Sequence, residues 1–385
     1  PCREDQEMKP IRVCFTALLA YPLFNPEAGS EFGGAEVQLY YLATELAKDP
    51  RFEVVFLTGD FGQPERESRE GVELRKLGVS GDAGPLRKAY GYLAMVPHMK
   101  KLGADIYIQR AAVLLTGIVA FAARSGGRKF IYMTAHDLDI RPGKPGWRPP
   151  GMIGTLIWKF YKTGFAMADL VVVQHEKQKE ELKRLCGRDG YIRRSAHRIT
   201  DAGNGPVKET VLWVARCEDW KQPECFLALA RSFPGEKFCM ICPRSHDGAL
   251  FERTRSEAAG IANLQFVDYV PFHEIDGYFR RARILVNTSR GEGFPNTFVQ
   301  AMKSRTPILS LNADPDGMLG KYNVGRCAGG DFNALVEGLD TILKDVRLRG
   351  EMAENGYRYA LSRHDIRDIV EEDKKMFLAL MEREG

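Results

Sequence analysis

The densest concentration of chemically useful residues is the segment ILVNTSRGEGFPNTFVQAM, positions 284–302. A strand-like run ends near Asn287, a glycine-rich loop follows, and helical sequence opens at Asn296–Thr297. A helix start presents backbone N–H groups without intrahelical partners and a partial positive charge, so it favours a phosphate. Gly291 and Gly293 let the backbone approach a ligand closely. Glu292 stands at the mouth of the loop, where a carboxylate accepts hydrogen bonds from hydroxyls. Gln300, eight residues further on, faces the same side. A dinucleotide-binding loop is the competing reading, but Asn296 occupies its third glycine position.

A second group lies in VLWVARCEDWK, 211–221, where Arg216 follows another strand-like run and Lys221 comes five residues later. A planar guanidinium and a point-charge ammonium together can neutralise a pyrophosphate. By themselves they read as solvated charges beside Glu218 and Asp219; the glycine loop tips the balance towards an anion site. Two weaker signals precede them. Gly33-Gly34 in EFGGAE sits between a strand and a helix, where backbone amides can wrap a phosphate or a turn can simply pass. His136 in MTAHDLD follows a strand, where it either enters a site or is satisfied structurally.

Glu292-Gly-Phe-Pro-Asn, followed by Gln300-Ala-Met and Thr306-Pro, resembles the E-x7-E region of the retaining glycosyltransferases of family four. The resemblance implies that Glu292 contacts a donor sugar and that backbone around Gly293, Phe294, Pro295, Asn296 and Thr297 contacts the diphosphate. Gln300 would hold the ribose, although an amide stands where the family has a carboxylate and lacks its charge. Arg216 and Lys221 resemble the R-x4-K pair that stabilises the departing diphosphate. Gly33 and Gly34 resemble the amino-terminal glycine loop, and His136 a histidine near the donor sugar. Tyr269 and Val270, in FVDYVP, match the position that reads the nucleotide base. Ala168–Leu182 resembles the last strand and helix of the first domain. The implied fold class is α/β, with two Rossmann-like doubly wound domains facing across a cleft (GT-B type).

The elements agree with that arrangement. At 385 residues, two domains are expected. Short β-rich runs alternate with helical stretches, the grammar of βαβ units and parallel sheets: Ile11–Leu18, Phe52–Thr58, Val72–Lys76, Asp105–Gln109, Lys129–Thr134 and Asp169–Gln174. After the polar, glycine-rich ITDAGNGPVKE the pattern restarts with Thr210–Ala215, Lys237–Cys242, Leu264–Val267, Arg283–Asn287 and Pro307–Leu311. The expected domains are 1–204 on the acceptor side and 205–365 for the nucleotide sugar. The final helix, 366–385, could pack on either domain, including back on the first. In open parallel sheets ligands lie beyond the carboxyl ends of the strands, where all these motifs fall.

Composition narrows the function. Net charge is +4, with 55 basic and 51 acidic residues, too even to point to nucleic acid. No apolar run approaches the ~20 residues that span a bilayer, and PCREDQEMKP lacks the apolar core of a signal peptide. The expected location is cytoplasmic, at most peripheral at the inner face of a membrane. The eight cysteines are not spaced as a disulfide framework, and Cys239-Met-Ile-Cys242 reads as a buried thiol pair within a strand. Asp137-Leu-Asp139 and Asp314-Pro-Asp316 each spell D-x-D, a metal-binding pattern of single-domain sugar transferases. Because Arg216 and Lys221 supply the cations here, no metal and no cofactor beyond a UDP- or GDP-linked donor is expected.

Residues 141–165 and 85–101 carry basic and aromatic side chains without an acidic one. That composition suits a membrane interface and a glycan or lipid-linked acceptor, or a solvated face. The expected activity is transfer of a sugar from a nucleotide-diphosphate donor with retention of configuration. A phosphorylase or nucleotide-sugar epimerase of the same architecture, or a non-catalytic nucleotide-sugar-binding protein, are the alternatives.

Overall fold

The computed structural model describes residues 9–29, 32–78, 85–141, 151–201, 206–245 and 247–382. The chain forms two compact units, Pro1–Ala196 with Ile366–Gly385, and His197–Asp365. The passage after Ala196 comes ahead of the glycine-rich stretch that composition marks as a boundary, and positions 202–205 of that stretch lie outside the described residues.

The first unit contains β1 (Ile11–Thr16), β2 (Phe52–Thr58), β3 (Arg66–Arg69), β4 (Val72–Lys76), β5 (Ile106–Arg110), β6 (Lys129–Met133), β7 (Leu170–Val173) and β8 (Tyr191–Ile192). They form one sheet in the order β3-β4-β2-β1-β5-β6-β7-β8, parallel except for the pairing of β3 with β4. The strands β1, β2, β5, β6 and β7 are buried along most of their length, as expected where helices cover both faces of a parallel sheet, whereas β4, VELRK, alternates buried and half-buried residues. The polar β3, RESR, is tolerable only at an edge, which is where it lies. The order reverses between β1 and β5, the switch point where a ligand crevice opens in this class of sheet.

Helices Leu114–Ser125 and Gly151–Met167 cross tightly in this unit. A Cβ on Gly164 would lie 2.6 Å from the Gly117 Cα, so both positions require the missing side chain. The last helix, Ile366–Glu382, packs on the helix Gly34–Leu46. Lys374 Nζ lies 3.0 Å from Asp49 Oδ2, and the buried Arg193 Nε donates to Asp373 Oδ2 at 2.7 Å.

Among the described residues the second unit has six strands: β9 (Thr210–Val214), β10 (Lys237–Ile241), β11 (Leu264–Val267), β12 (Ala282–Asn287), β13 (Ile308–Ser310) and β14 (Gly325–Cys327). All neighbours are parallel in the order β11-β10-β9-β12-β13-β14, with the reversal between β9 and β12. Strand alternation divides its core in two. Val211 and Trp213 pack with Phe226 and Leu339 on one face, and Leu212 with Phe298 and Met302 on the other.

The same alternation corrects the expectation for the C-x-x-C. Cys239 belongs to the Leu212 face, and Cys242 to the Trp213 face. The thiol of Cys242 meets that of Cys217 instead, and Cys217 Sγ lies 3.8 Å from Thr254 Oγ1. Both D-x-D sequences prove to be turn formers: Asp139 Oδ2 accepts from Ala135 N and His136 N at 2.6 and 2.9 Å, and Asp314 Oδ1 accepts from Leu319 N at 2.9 Å.

Candidate donor site

In the second unit the loops after β9 and β12 flank the switch point, and a set of hydrogen bonds stitches them together. Thr288 Oγ1 donates to the Lys221 carbonyl at 2.6 Å and accepts from Trp213 Nε1 at 2.8 Å. Arg290 N donates to the Trp220 carbonyl at 2.9 Å. The two sequence motifs therefore share one rigid edge.

At that edge Lys221 Nζ meets Glu292 Oε1 at 2.5 Å, with 16% and 11% of the respective side chains exposed. The same Oε1 accepts from Ser289 Oγ at 2.7 Å, and Lys221 Nζ lies 3.8 Å from the centre of the Trp220 ring. The ammonium is thus held by a carboxylate and an aromatic face on a turn, Asp219–Lys221, too short to move far alone. Arg216 lies 3.2 Å from Glu218 Oε1 and remains 49% exposed, so its fork can still reach a ligand. Glu218 is itself anchored by Trp220 Nε1 at 2.5 Å and Ser245 Oγ at 3.0 Å.

Beyond Glu292, Gly293 and Pro295 are buried and Pro295 caps the helix Asn296–Lys303 without a side-chain hydrogen bond. The first-turn N–H groups have no capping side chain, as an anion-binding helix start requires. Phe294 is core: its ring lies 4.7 Å from that of His364, and it packs with Leu212 and Phe298. Its contribution to a ligand can come only through backbone. Asn296, Thr297 and Gln300 are half-buried on the helix while Phe298 and Val299 are buried, so the three polar residues share the open face. Beneath them the buried His197 bonds the Asn296 side chain, and burial, with Lys303 and His364 adding, holds its imidazole well below its ordinary pKa. Tyr269 is exposed and Val270 half-buried after β11, one strand beyond β10.

The residues expected from the first unit are described within it. Gly33 caps the helix Gly34–Leu46 and its N–H donates to Glu36 Oε2 at 2.9 Å; Glu31 lies outside the described residues. His136 caps the turn Asp137–Ile140, its Nδ1 accepting from Leu138 N at 3.1 Å, which leaves the ring's proton on Nε2 when neutral. Gln178 braces this turn through the His136 carbonyl at 3.2 Å. Sequence reasoning missed Ser289, Trp220 and His197; Trp220 and Ser289 adjoin the motifs, whereas His197 is about a hundred residues from the helix it supports and left no local signal.

Two Rossmann-like α/β units, each with a single reversal in the order of its parallel strands, define the GT-B class of fold. Two family models cover most of the chain: Glycosyltransferase Family 4 matches residues 32–194 and Glycosyl transferases group 1 matches 201–359. The chain is a glycosyltransferase and belongs to the family-four group. A search of curated protein sequences gave no match. Among solved structures, sucrose-phosphate synthase from Thermosynechococcus elongatus is similar over 97% of this chain and 100% of that one, with a TM-score of 0.77 and 16% identity. HepE of Anabaena, in complex with UDP and glucose, is similar over 96% and 100%, with a TM-score of 0.72 and 15% identity. WaaG, a glycosyltransferase involved in lipopolysaccharide biosynthesis, is similar over 94% and 99%, with a TM-score of 0.67 and 16% identity. At these identities the likeness concerns the fold.

Proposed function

We propose that the chain transfers a sugar from a nucleoside-diphosphate donor to a glycan or lipid-linked acceptor, retaining the anomeric configuration and using no metal ion. The observation that carries this reading is the Lys221–Glu292 contact at the switch point of the second unit. An arriving diphosphate competes for the ammonium and releases Glu292 to accept hydrogen bonds from the sugar hydroxyls. Arg216, Lys221 and the helix start at Asn296 then face the charge that builds on the departing diphosphate. That is electrostatic stabilisation by groups already in place. Gln300, on the same open face, takes the ribose, and Tyr269 and Val270 take the base. In the first unit, His136 and Gly33-Gly34 are the residues that the family resemblance assigns to substrate binding. HepE is known with UDP and glucose, which makes UDP-glucose the first donor to try.

Arg216→Ala and Lys221→Ala each should lower kcat about 10²–10³-fold, the scale of losing one donor to a developing anion, with the fold retained by circular dichroism. Near-normal turnover in both variants refutes the leaving-group role. The anomeric coupling of the product, read by proton NMR, tests retention, and turnover unaffected by a chelator tests metal independence.

Among the described residues no helix is long and apolar enough to cross a membrane. We propose peripheral contact through the helix Gly151–Met167. It has no acidic residue, exposes Lys159 and Lys162, and leaves Leu156 66% exposed. Those features suit an anionic membrane surface. Lys144, Trp147 and Arg148, part of the same expectation, lie outside the described residues, as do the side chains of Arg87 and Lys88. Co-sedimentation with vesicles containing phosphatidylglycerol, lost in Leu156→Asp/Lys159→Glu, is the expected result; equal sedimentation of wild type and variant contradicts it.

A further inference from the structure

Arg110 ends β5, at the switch point of the first unit, and is 8% exposed. Its Nε is buried with no hydrogen-bond partner, and among the described residues no oxygen accepts from its guanidinium. The other buried arginine at this sheet edge, Arg193, is paired with Asp373. A buried charge without a partner is expensive, and such groups in a folded protein call for an explanation.

The surroundings show what is missing. Arg110 lies in the field of Glu36, in the first turn of Gly34–Leu46, and of Asp139, in the turn after β6. Both carboxylates are committed: Glu36 Oε2 to Gly33 N at 2.9 Å, Asp139 Oδ2 to Ala135 N and His136 N at 2.6 and 2.9 Å. They offset charge at a distance without bonding the fork. Arg193 lies near enough to oppose the charge of Arg110, and its own Nη2 is also buried without a partner. The backbone after Arg110 is held firmly. Ala111 has φ +75°, and its carbonyl accepts from Gln109 Nε2 at 3.1 Å and Thr116 Oγ1 at 3.2 Å. Thr116 in turn donates to Gln109 Oε1 at 2.8 Å. A strained position maintained by a buried network fixes where the guanidinium stands.

We infer that Arg110 binds an oxyanion, a phosphate or carboxylate carried by the acceptor, at the carboxyl edge of the first unit's sheet between the Gly33–Gly34 helix start and the His136 turn. A guanidinium fork matches either group in two-point geometry, and the switch point is where such a sheet receives ligands. That the anion belongs to an acceptor rests on the transferase reading; that an anion binds here does not.

The test uses the full chain carrying Arg216→Ala/Lys221→Ala, which removes the cations of the second unit as a competing site. Melting temperature is followed against inorganic phosphate, and separately acetate, at ionic strength held constant with chloride. A saturable rise with at least one of them is expected, since a ligand of the native state raises its melting point. Adding Arg110→Gln should abolish the rise, and Arg110→Lys, which keeps the charge but loses the fork, should weaken apparent affinity roughly tenfold. Phosphate identifies a phosphorylated acceptor and acetate alone a carboxylated one. No rise with either anion, or an undiminished rise in whichever Arg110 variant folds, overturns the inference. A parallel UDP titration of the wild-type chain reads the donor assignment independently, so either can fail while the other stands.

Discussion

Glu292 and Lys221 are far apart in sequence yet meet at 2.5 Å, and each is unusual only because of the other. Alone, Lys221 would be one more charge in an acidic neighbourhood. What made the pair legible beforehand was its setting, a glycine loop after one strand-like run and two cations after another. Arg110 left no such trace. It stands in a plain strand, IYIQR, and its interest comes from the partner it lacks, which no sequence pattern records. Gln300 carries a prediction at this scale. It shares the open face of its helix with Asn296 and Thr297, so Gln300→Glu introduces a carboxylate without disturbing the core. Hydrogen bonds to an ionised acceptor are about twice as strong as neutral ones. The donor KM should therefore fall several-fold in steady-state kinetics with kcat little changed; an unchanged or higher KM argues that Gln300 does not face the ribose.

Among the elements, Phe52–Thr58 was readable as a nearly continuous buried run and Val72–Lys76 as an alternation of buried apolar and half-buried charged residues. The polar β3, the two-residue β8 and the short β14 were not, because their identity depends on a neighbouring strand and not on their own residues. Likewise the crossing of Leu114–Ser125 with Gly151–Met167 depends on two glycines that look incidental in sequence. Gly164→Ala forces a Cβ into backbone, and overpacking of this kind costs about 1–3 kcal/mol, measurable by denaturant unfolding. An unchanged midpoint shows that the two helices can part without loss. In the second unit Lys208 Nζ donates to the carbonyls of Arg280, Ala282 and Ser304 and to Thr306 Oγ1, at 3.2, 3.1, 2.9 and 2.9 Å. It ties the start of β12 to the end of the donor-site helix. Lys208→Met strands these acceptors and should cost about 2–3 kcal/mol; a loss below the error of the measurement means that water replaces the ammonium.

For the molecule as a whole, two α/β units in succession are visible in the pattern of strand-like and helical runs, but the placement of the last helix turns on pairings no pattern displays. Lys374 reaches Asp49, and Asp373 reaches Arg193. Hydrogen bonds from Arg51, with Lys374 adding, hold the Asp49 carboxyl below the usual carboxylate range. A carboxyl whose folded pKa is depressed contributes stability that is present above its unfolded value, about 3.9, and lost as pH falls through the folded one. Melting temperature should therefore decline below about pH 4, and Asp49→Asn should be less stable near neutrality with a shallower acid decline. Parallel curves for the two proteins contradict a role for Asp49 in seating the helix.

The central claim is that Arg216 and Lys221 bind the donor diphosphate beside Glu292. Titrating UDP and GDP by calorimetry into the wild-type chain and into Arg216→Ala/Lys221→Ala tests it most directly. The account predicts that at least one nucleotide binds the wild type and that the double variant binds it at least tenfold more weakly, each charged hydrogen bond lost being worth about 1.5–3 kcal/mol. Equal affinity in the two proteins, or binding of neither nucleotide to the wild type, contradicts it.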